Sequence, residues 1–311
     1  MLKEIFEKNK NIIINSDLDG ILSGAILQKY YGCKVVGFSN SKDRVWVMPE
    51  VEDIYMPIYI DIYINKPEVV CIDQHIISYD EEHHKRIKGY KTKINPNLEQ
   101  DRFFMGKNDN SYTNKYPFGT VHYLMSLMAR EGVQIELPIL EKECDDKSWT
   151  IGSLILRADD ALGSTYNYRQ NARNWWNWLM QSSESTAICK LKDYVYSLGK
   201  EKAEGYKDKL GVFFLSLGCT KKNGEFKYIT NDEGEIEEKF LEYINVIGKL
   251  INIQLNISDK YSIYGACDRT ANYRNSEDKK RIKIENLFSY SFVGMRGKNL
   301  SYTEQMTKIS E

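Results

Sequence analysis

Three polar side chains alternate where an apolar run near the start of the chain ends: Asn15, Asp17 and Asp19 in NIIINSDLDG. In an extended segment alternate side chains point the same way, so all three can face one point beyond a strand end. Two later runs end in the same manner, IYMPIYID at Asp61 and EVVCIDQH at Asp73, Gln74 and His75. Taken alone, the first trio could equally be a capping arrangement, with Asp17 or Asp19 holding the N–H groups of the next helix. Three strands that each bring a carboxylate to one edge alter that balance. Like charges repel unless a cation or a proton neutralises them, so the pattern predicts a metal centre.

The elements that must position these residues follow from the apolar pattern. NIIIN, KVVGF, IYMPIYIDI and EVVCID are short β-branched runs, apolar on both sides, and GILSGAILQKYYG after the first has helical spacing. This α/β alternation predicts a mainly parallel sheet, with ligands beyond the carboxyl ends of its strands. FGTVHYLMSLMAR and TIGSLILRADDAL are expected to be helices, and ARNWWNWLMQ a helix whose tryptophans pack inside. Past about residue 195 come a strand-like GVFFLSL, a turn at KKNGE, a helix over EIEEKFLEYINVIGKLI and strand-like INIQLNI and YSIYGA. The expected organisation is an N-terminal unit over residues 1–190 and a smaller α/β unit over 191–311, joined through a helix.

Composition narrows the function classes. With 311 residues and 42% apolar side chains the chain has ample core for a folded protein. Charges in MLKEIFEKNKN and the shortness of every apolar run argue against a signal peptide or a membrane span, which predicts a cytoplasmic protein. The six cysteines lie far apart without CxxC spacing, as buried free thiols would. A net charge of −1 provides no field for non-specific duplex DNA binding, and small or end-bound substrates fit better.

The motifs resemble those of the DHH phosphoesterase superfamily, which includes RecJ-type exonucleases, nano-RNases, cyclic-dinucleotide phosphodiesterases and family II pyrophosphatases. SDLDG with its small-residue helix resembles the first motif, YID with Asp61 the second, CIDQH the third and RADDAL the fourth, in order over residues 10 to 165. Two positions depart from it. Gln74 stands where the third motif has its first histidine, and Asn15 where RecJ-like members carry an aspartate, so each exchanges a stronger metal ligand for a neutral amide.

The resemblance implies that Asp17 and Asp61, with Asn15, hold one ion. It implies that Asp19, Asp61 and either Asp159 or Asp160 hold a second, with Asp61 bridging. Of the adjacent pair, Asp159 is preferred as the inward residue. Gln74 in place of imidazole weakens the second ion. The implied cofactor is manganese, with magnesium as a substitute. A water or hydroxide between the ions would attack phosphorus in line while His75, beside Asp73, stabilises the phosphoryl oxygens.

His83 and His84 in DEEHHKRI follow an acidic stretch and are expected on a solvated helix face. His122 is expected to be packed or exposed rather than a ligand. SYSFVGMRGKNL resembles the arginine-bearing strand of the family's second domain, which makes Arg296 and Lys298, between Gly294 and Gly297, a candidate anion clamp or a basic hairpin turn. Arg269, Arg274, Lys279, Lys280 and Arg281 form a basic run that could hold a nucleic-acid backbone or be solvated. The implied activity is hydrolysis of a phosphodiester or phosphomonoester of a nucleotide, short oligonucleotide or single-stranded nucleic acid end. The competing reading is a family member that binds nucleotide or single-stranded nucleic acid without turnover, for which Gln74 and Asn15 are the reason. No membrane partner is implied, and homodimerisation stays open.

Overall fold

In a computed structural model of the chain, residues 1–40, 44–138, 143–144, 148–266, 287–294, 299–304 and 307–308 are described. The chain is mixed α/β. Its main sheet has the strand order β10-β7-β3-β2-β1-β4-β5-β6. Here β1 is Asn11–Asn15, β2 Lys34–Ser39, β3 Arg44–Val47, β4 Ile58–Ile60, β5 Cys71–Ile72, β6 Lys93–Ile94, β7 Ser262–Ala266 and β10 Thr307–Lys308. The block β2-β1-β4-β5-β6 is parallel throughout, and β3, β7 and β10 extend it antiparallel. Ile12, Ile13 and Ile14 are all buried, as the two-sided apolar run requires.

Register explains why the polar strand ends meet. Ile14 pairs with Ile60, Ile60 with Ile72 and Ile72 with Ile94. The next residues, Asn15, Asp61, Asp73 and Asn95, therefore stand in one row at the carboxyl edge. Backbone bonds from Asp61 N to Ile72 O (2.8 Å) and from Asp73 N to Ile94 O (3.1 Å) hold that row.

Helix α2, Leu18–Tyr31, follows β1 and is buried from Leu18 to Leu27, so it is a central helix with no solvent face over its first turns. It packs on β1 and on α5, Thr120–Arg130. Two of the three tryptophans of α8, Arg169–Gln181, pack inside as expected: Trp175 and Trp176 are buried, the Trp176 ring centred 4.2 Å from that of Phe118, while Trp178 is partly buried. Cys33, Cys71 and Cys219 are buried free thiols, Cys144 is buried and Cys189 is partly exposed. No helix among the described residues is long and apolar enough to cross a membrane.

Three expectations are corrected. TIGSLILRADDAL is not one helix: α6, Ile151–Ile155, ends, a 3-10 turn spans Ala158–Asp160, and α7 begins at Ala161 and runs to Asn167. GVFFLSL is the end of helix α10, Lys200–Ser216; Leu210 and Phe214 are buried one turn apart while Val212 and Leu215 are exposed, a helical period hidden in a short apolar run. INIQLNI is not a strand: Ile251 is the last residue of the helix Glu238–Ile251, Asn252 turns left-handed with φ +54, and the rest, with Ile253 and Leu255 buried, pairs with no strand among the described residues. Gln28 takes the partner's place, donating to Asn256 O (3.0 Å) and accepting from Asn256 N (2.6 Å).

The C-terminal part of the chain returns to the N-terminal sheet. Beyond β7 on β3, Phe38 of β2 meets Phe240 of α11, Glu238–Ile251, and Tyr261, both at 5.3 Å. Tyr261 OH donates to Val35 O at 3.0 Å. A separate antiparallel pair, β8 Leu287–Val293 and β9 Asn299–Glu304, lays Tyr290 and Phe292 against Tyr63, Ile76 and Phe104, next to the third motif.

The glycine of SDLDG has a packing reason. A Cβ on Gly20 would lie 2.1 Å from Asn15 O, so only glycine lets α2 start this close to the end of β1. Gly20→Ala should cost about 1–3 kcal/mol or more, as overpacking does, because its neighbour is rigid backbone. Urea unfolding checks this, and a variant as stable as the parent would contradict the contact.

Candidate metal site

Each carboxylate at the edge is held by a specific local feature. The chain leaves β4 through Asp61 with φ +63, a left-handed conformation that Asp tolerates better than most residues. Asp61 accepts from Thr120 Oγ1 (2.8 Å) and from Asn15 Nδ2 (3.2 Å). Asp19, in the first turn of α2, accepts from the N–H groups of Thr120 (2.6 Å) and Val121 (2.8 Å), at the N-terminus of α5 where the helix dipole favours negative charge. Asp73 accepts from His75 Nδ1 at 2.7 Å and from His75 N at 3.2 Å. Asp159 accepts a short bond from Gln74 Nε2.

These contacts assemble two groups that share one residue. Ligand atoms of Asp19, Asp61 and Asp159 all lie within 4.8 Å of one another, and so do those of Asp61, Asp73 and His75. Asn15, whose amide nitrogen is spent on Asp61, is left with a buried Oδ1 that has no partner. A buried acceptor without a donor is costly unless something positive satisfies it.

The electrostatics say the same. Burial pushes the Asp61 carboxyl well up, and Asp19, Asp17, Asp159 and Asp73 add to the push. Burial likewise raises Asp19, to about 7, with Asp159 adding and the Val121 and Thr120 N–H groups opposing. Asp17 is raised well above the usual range by burial, then by Asp159 and Asp19. Burial raises Asp159 too, against the pull of His75, Lys115 and Lys222. Loss of solvent disfavours the charged His75 ring, but Asp73 more than offsets that and holds it at about 9. Its side chain keeps 33% of its surface exposed. Buried carboxylates in mutual contact that resist ionisation are what a divalent cation relieves, so these residues fit one.

The row brings together Asn15, Asp19, Asp61, Asp73, His75 and Asp159. Asp17 serves elsewhere: it caps α2, accepting from Gly20 N (3.1 Å), and accepts from Asn223 Nδ2 (3.4 Å). It belongs to neither group, and the first ion's expected partner of Asp61 is replaced by Asp73 and His75. Gln74 faces the cluster as a donor, to Asp159 and 3.2 Å from His75 Nε2. Asp160 caps α7 and pairs with Arg157 and Lys207. Arg296, Lys298 and the basic run from Arg269 to Arg281 lie outside the described residues.

His83 and His84 are not on a solvated face. Both are buried and bonded, His83 to Tyr79 N (3.2 Å) and Tyr290 OH (3.1 Å), His84 to Ser78 Oγ (2.9 Å) and Asp101 (3.1 Å). The glutamates and basic residues around them take the outer face of helix α3, Glu81–Lys88. His122 is packed, accepting from Gly119 N at 3.1 Å, and burial lowers it to about 4.

Several site residues carry no motif signal. Asn95 donates to His75 O (2.8 Å) and Asn97 to Gln74 O (2.6 Å), fixing the backbone after β5. Their only trace was KINPN, where one β-branched residue, Ile94, precedes a polar one. Asn223 comes from the KKNGE turn, which also bonds Leu18 N through Asn223 O (3.1 Å). Comparisons with family models, with curated proteins and with solved structures return no match.

The shifts set a pH dependence. Asp19 holds its proton to about pH 7 when folded but only to about pH 3.8 when unfolded, so the metal-free fold binds the extra proton between and loses stability as pH rises through about 7. His75, raised from 6.5 to about 9, has the same sign, its contribution complete below 6.5 and lost through about 9. A divalent ion bound there would compete with the Asp19 proton, so stabilisation by manganese should grow with pH, and free ion at about 100 times its Kd should add about 2.7 kcal/mol. Thermal melts with chelator or manganese across this window check it; a melting temperature indifferent to manganese near pH 8 would contradict it.

Proposed function

We propose that the chain is a divalent-metal-dependent phosphoesterase of DHH type, acting in the cytosol on a nucleotide, a short oligonucleotide or the end of a single strand. The observation that supports this most is the pair of buried ligand groups sharing Asp61. The four DHH-like motifs supply residues to that cluster in the order the resemblance implies. On this reading residues 1–190 carry the ions and the remainder of the chain carries substrate contacts.

Manganese, or magnesium in its place, supplies Lewis acidity toward a phosphoryl oxygen and lowers the pKa of a nucleophilic water. Asp61 would be the shared ligand, with Asp19 and Asp159 completing one group and Asp73 with His75 lining the other. Asp73 holds the Nδ1 proton of His75 and so fixes the ring's orientation at the open side of the cluster. Without metal Asp73 raises that ring to about 9, and where its Nε2 is not spent on an ion it can donate to a phosphoryl oxygen as charge builds there. Lys115 and Lys222, whose charges act on Asp159, favour approach of an anionic substrate.

A second reading, nucleotide binding without turnover, is favoured by one contact. The amide of Gln74 donates to Asp159, satisfying without a metal a carboxylate that the first group needs. The two readings part in a single assay of phosphomonoesters, linear and cyclic dinucleotides and single-stranded oligonucleotides with manganese, magnesium or chelator. The enzyme cleaves at least one of them with manganese and none with chelator, while binding without product in every arm leaves the second reading. Asp61→Ala should lower turnover by about a hundredfold or more, the scale of losing one transition-state contact. Activity near the parent's would remove Asp61 from the centre. Gln74→His should tighten manganese binding by about tenfold; unchanged affinity would mean that Gln74 does not limit it.

A further inference from the structure

Asp159 reaches the cluster from an unusual piece of backbone. It and Asp160 are consecutive non-glycine residues in the left-handed region, with φ of +45 and +56. L-residues disfavour that conformation, Asp and Asn the least, and two in succession persist only when the surroundings hold them. Since α6 and α7 flank the pair, relaxing either residue to a right-handed or extended state would carry the Asp159 side chain away from Asp19 and Asp61.

Beside the bond from Gln74 to Asp159, the side-chain contacts that hold the pair fall on Asp160. Its Oδ1 accepts from Gly163 N (3.3 Å), the cap of α7, and from Arg157 Nη1 (3.3 Å), and its Oδ2 accepts from Lys207 Nζ (2.7 Å). Arg157 is 4% exposed, so its charge has little water to turn to, and Lys207 comes from α10, in the C-terminal part of the chain. Space is shaped for this contact: a Cβ on Gly163 would lie 2.7 Å from both Asp160 Oδ2 and Lys207 Nζ.

We propose that Lys207 and Arg157, acting through Asp160, are positioning residues that lock the left-handed turn presenting Asp159 to the cluster; the proposal rests on the metal-site reading. The clamp thus makes a ligand contributed by the N-terminal half depend on helix α10. The Lys207–Asp160 pair is partly exposed, 26% and 28%, so its share in global stability is small, as for most such pairs. Its effect is local, on where Asp159 stands.

The test uses the full chain and two readouts. In metal-free protein labelled with 15N-glutamine, the side-chain amide of Gln74, assigned by its loss in Gln74→Leu, reports the bond to Asp159. In calorimetry, manganese affinity reports the ligand set. Lys207→Gln and Gly163→Ala should both shift the Gln74 amide signals and weaken manganese binding by about tenfold, the scale of losing an outer contact to a ligand. Lys207→Arg should restore both, and the melting temperature without metal should barely move for Lys207→Gln. In an Asp159→Asn background Lys207→Gln should cause no further loss of affinity. Unmoved Gln74 signals in Lys207→Gln, or an equal loss with and without Asp159, would overturn the proposal. If the parent binds no manganese yet the Gln74 signals move, the clamp stands and the metal reading falls.

Discussion

Everything at the carboxyl edge of the sheet depends on the burial of Asp61. A carboxylate with 1% of its surface exposed sits between Asp19 and Asp159 on one side and Asp73 with His75 on the other. Its side-chain donors Thr120 Oγ1 and Asn15 Nδ2 are neutral, so these hydrogen bonds leave its charge and its neighbours' charges uncompensated. The fold meets this constraint with backbone donors from the start of α5 for Asp19, an imidazole for Asp73 and an amide for Asp159. What remains is a concentration of negative charge that raises several carboxyl pKa values together, and that is the condition under which a divalent cation is bound rather than merely tolerated.

Distant parts of the chain serve the same edge. The segment around Asn223 bonds the backbone of Leu18 and the side chain of Asp17, and Ser16 is tied to Phe226 through both its carbonyl and its hydroxyl. The motif loop after β1 therefore has its shape set by contacts with residues some two hundred positions later. The hairpin of β8 and β9 buttresses the segment after His75 in a similar way, with Phe292 N donating to Ile76 O at 2.8 Å. An edge built from one half of the chain and braced by the other explains why Asp17 acts as cap and brace.

Much of this edge was legible in the residues themselves. Short two-sided apolar runs ending in Asn15, Asp61 and Asp73 implied parallel strands in a common register, and that register is what aligns the three side chains. Of the adjacent pair in RADDAL it is Asp159 that stands in the cluster, although the two are not on an α-helix. The local sequence RADDAL has ordinary helical composition, and the left-handed turn that separates the two aspartates is imposed by Arg157 and Lys207, the latter far along the chain. GVFFLSL was misread because a run of that length fits a strand or a buried helical turn equally, and only its packing on the N-terminal half decides. His83 and His84 were misread because charged neighbours were taken to define their face, whereas the helix period turns those neighbours outward.

The central claim is that a divalent cation belongs at Asp61. Crystals of the full chain grown with manganese, with diffraction recorded on either side of the manganese absorption edge, test this most directly because the anomalous signal locates the ion itself. The account predicts an anomalous peak in contact with the Asp61 carboxylate and at least one of Asp19, Asp159, Asp73 and His75, with Asn15 Oδ1 or a water filling the remaining position. A map with no peak at Asp61, or with peaks only at surface carboxylates, would contradict it.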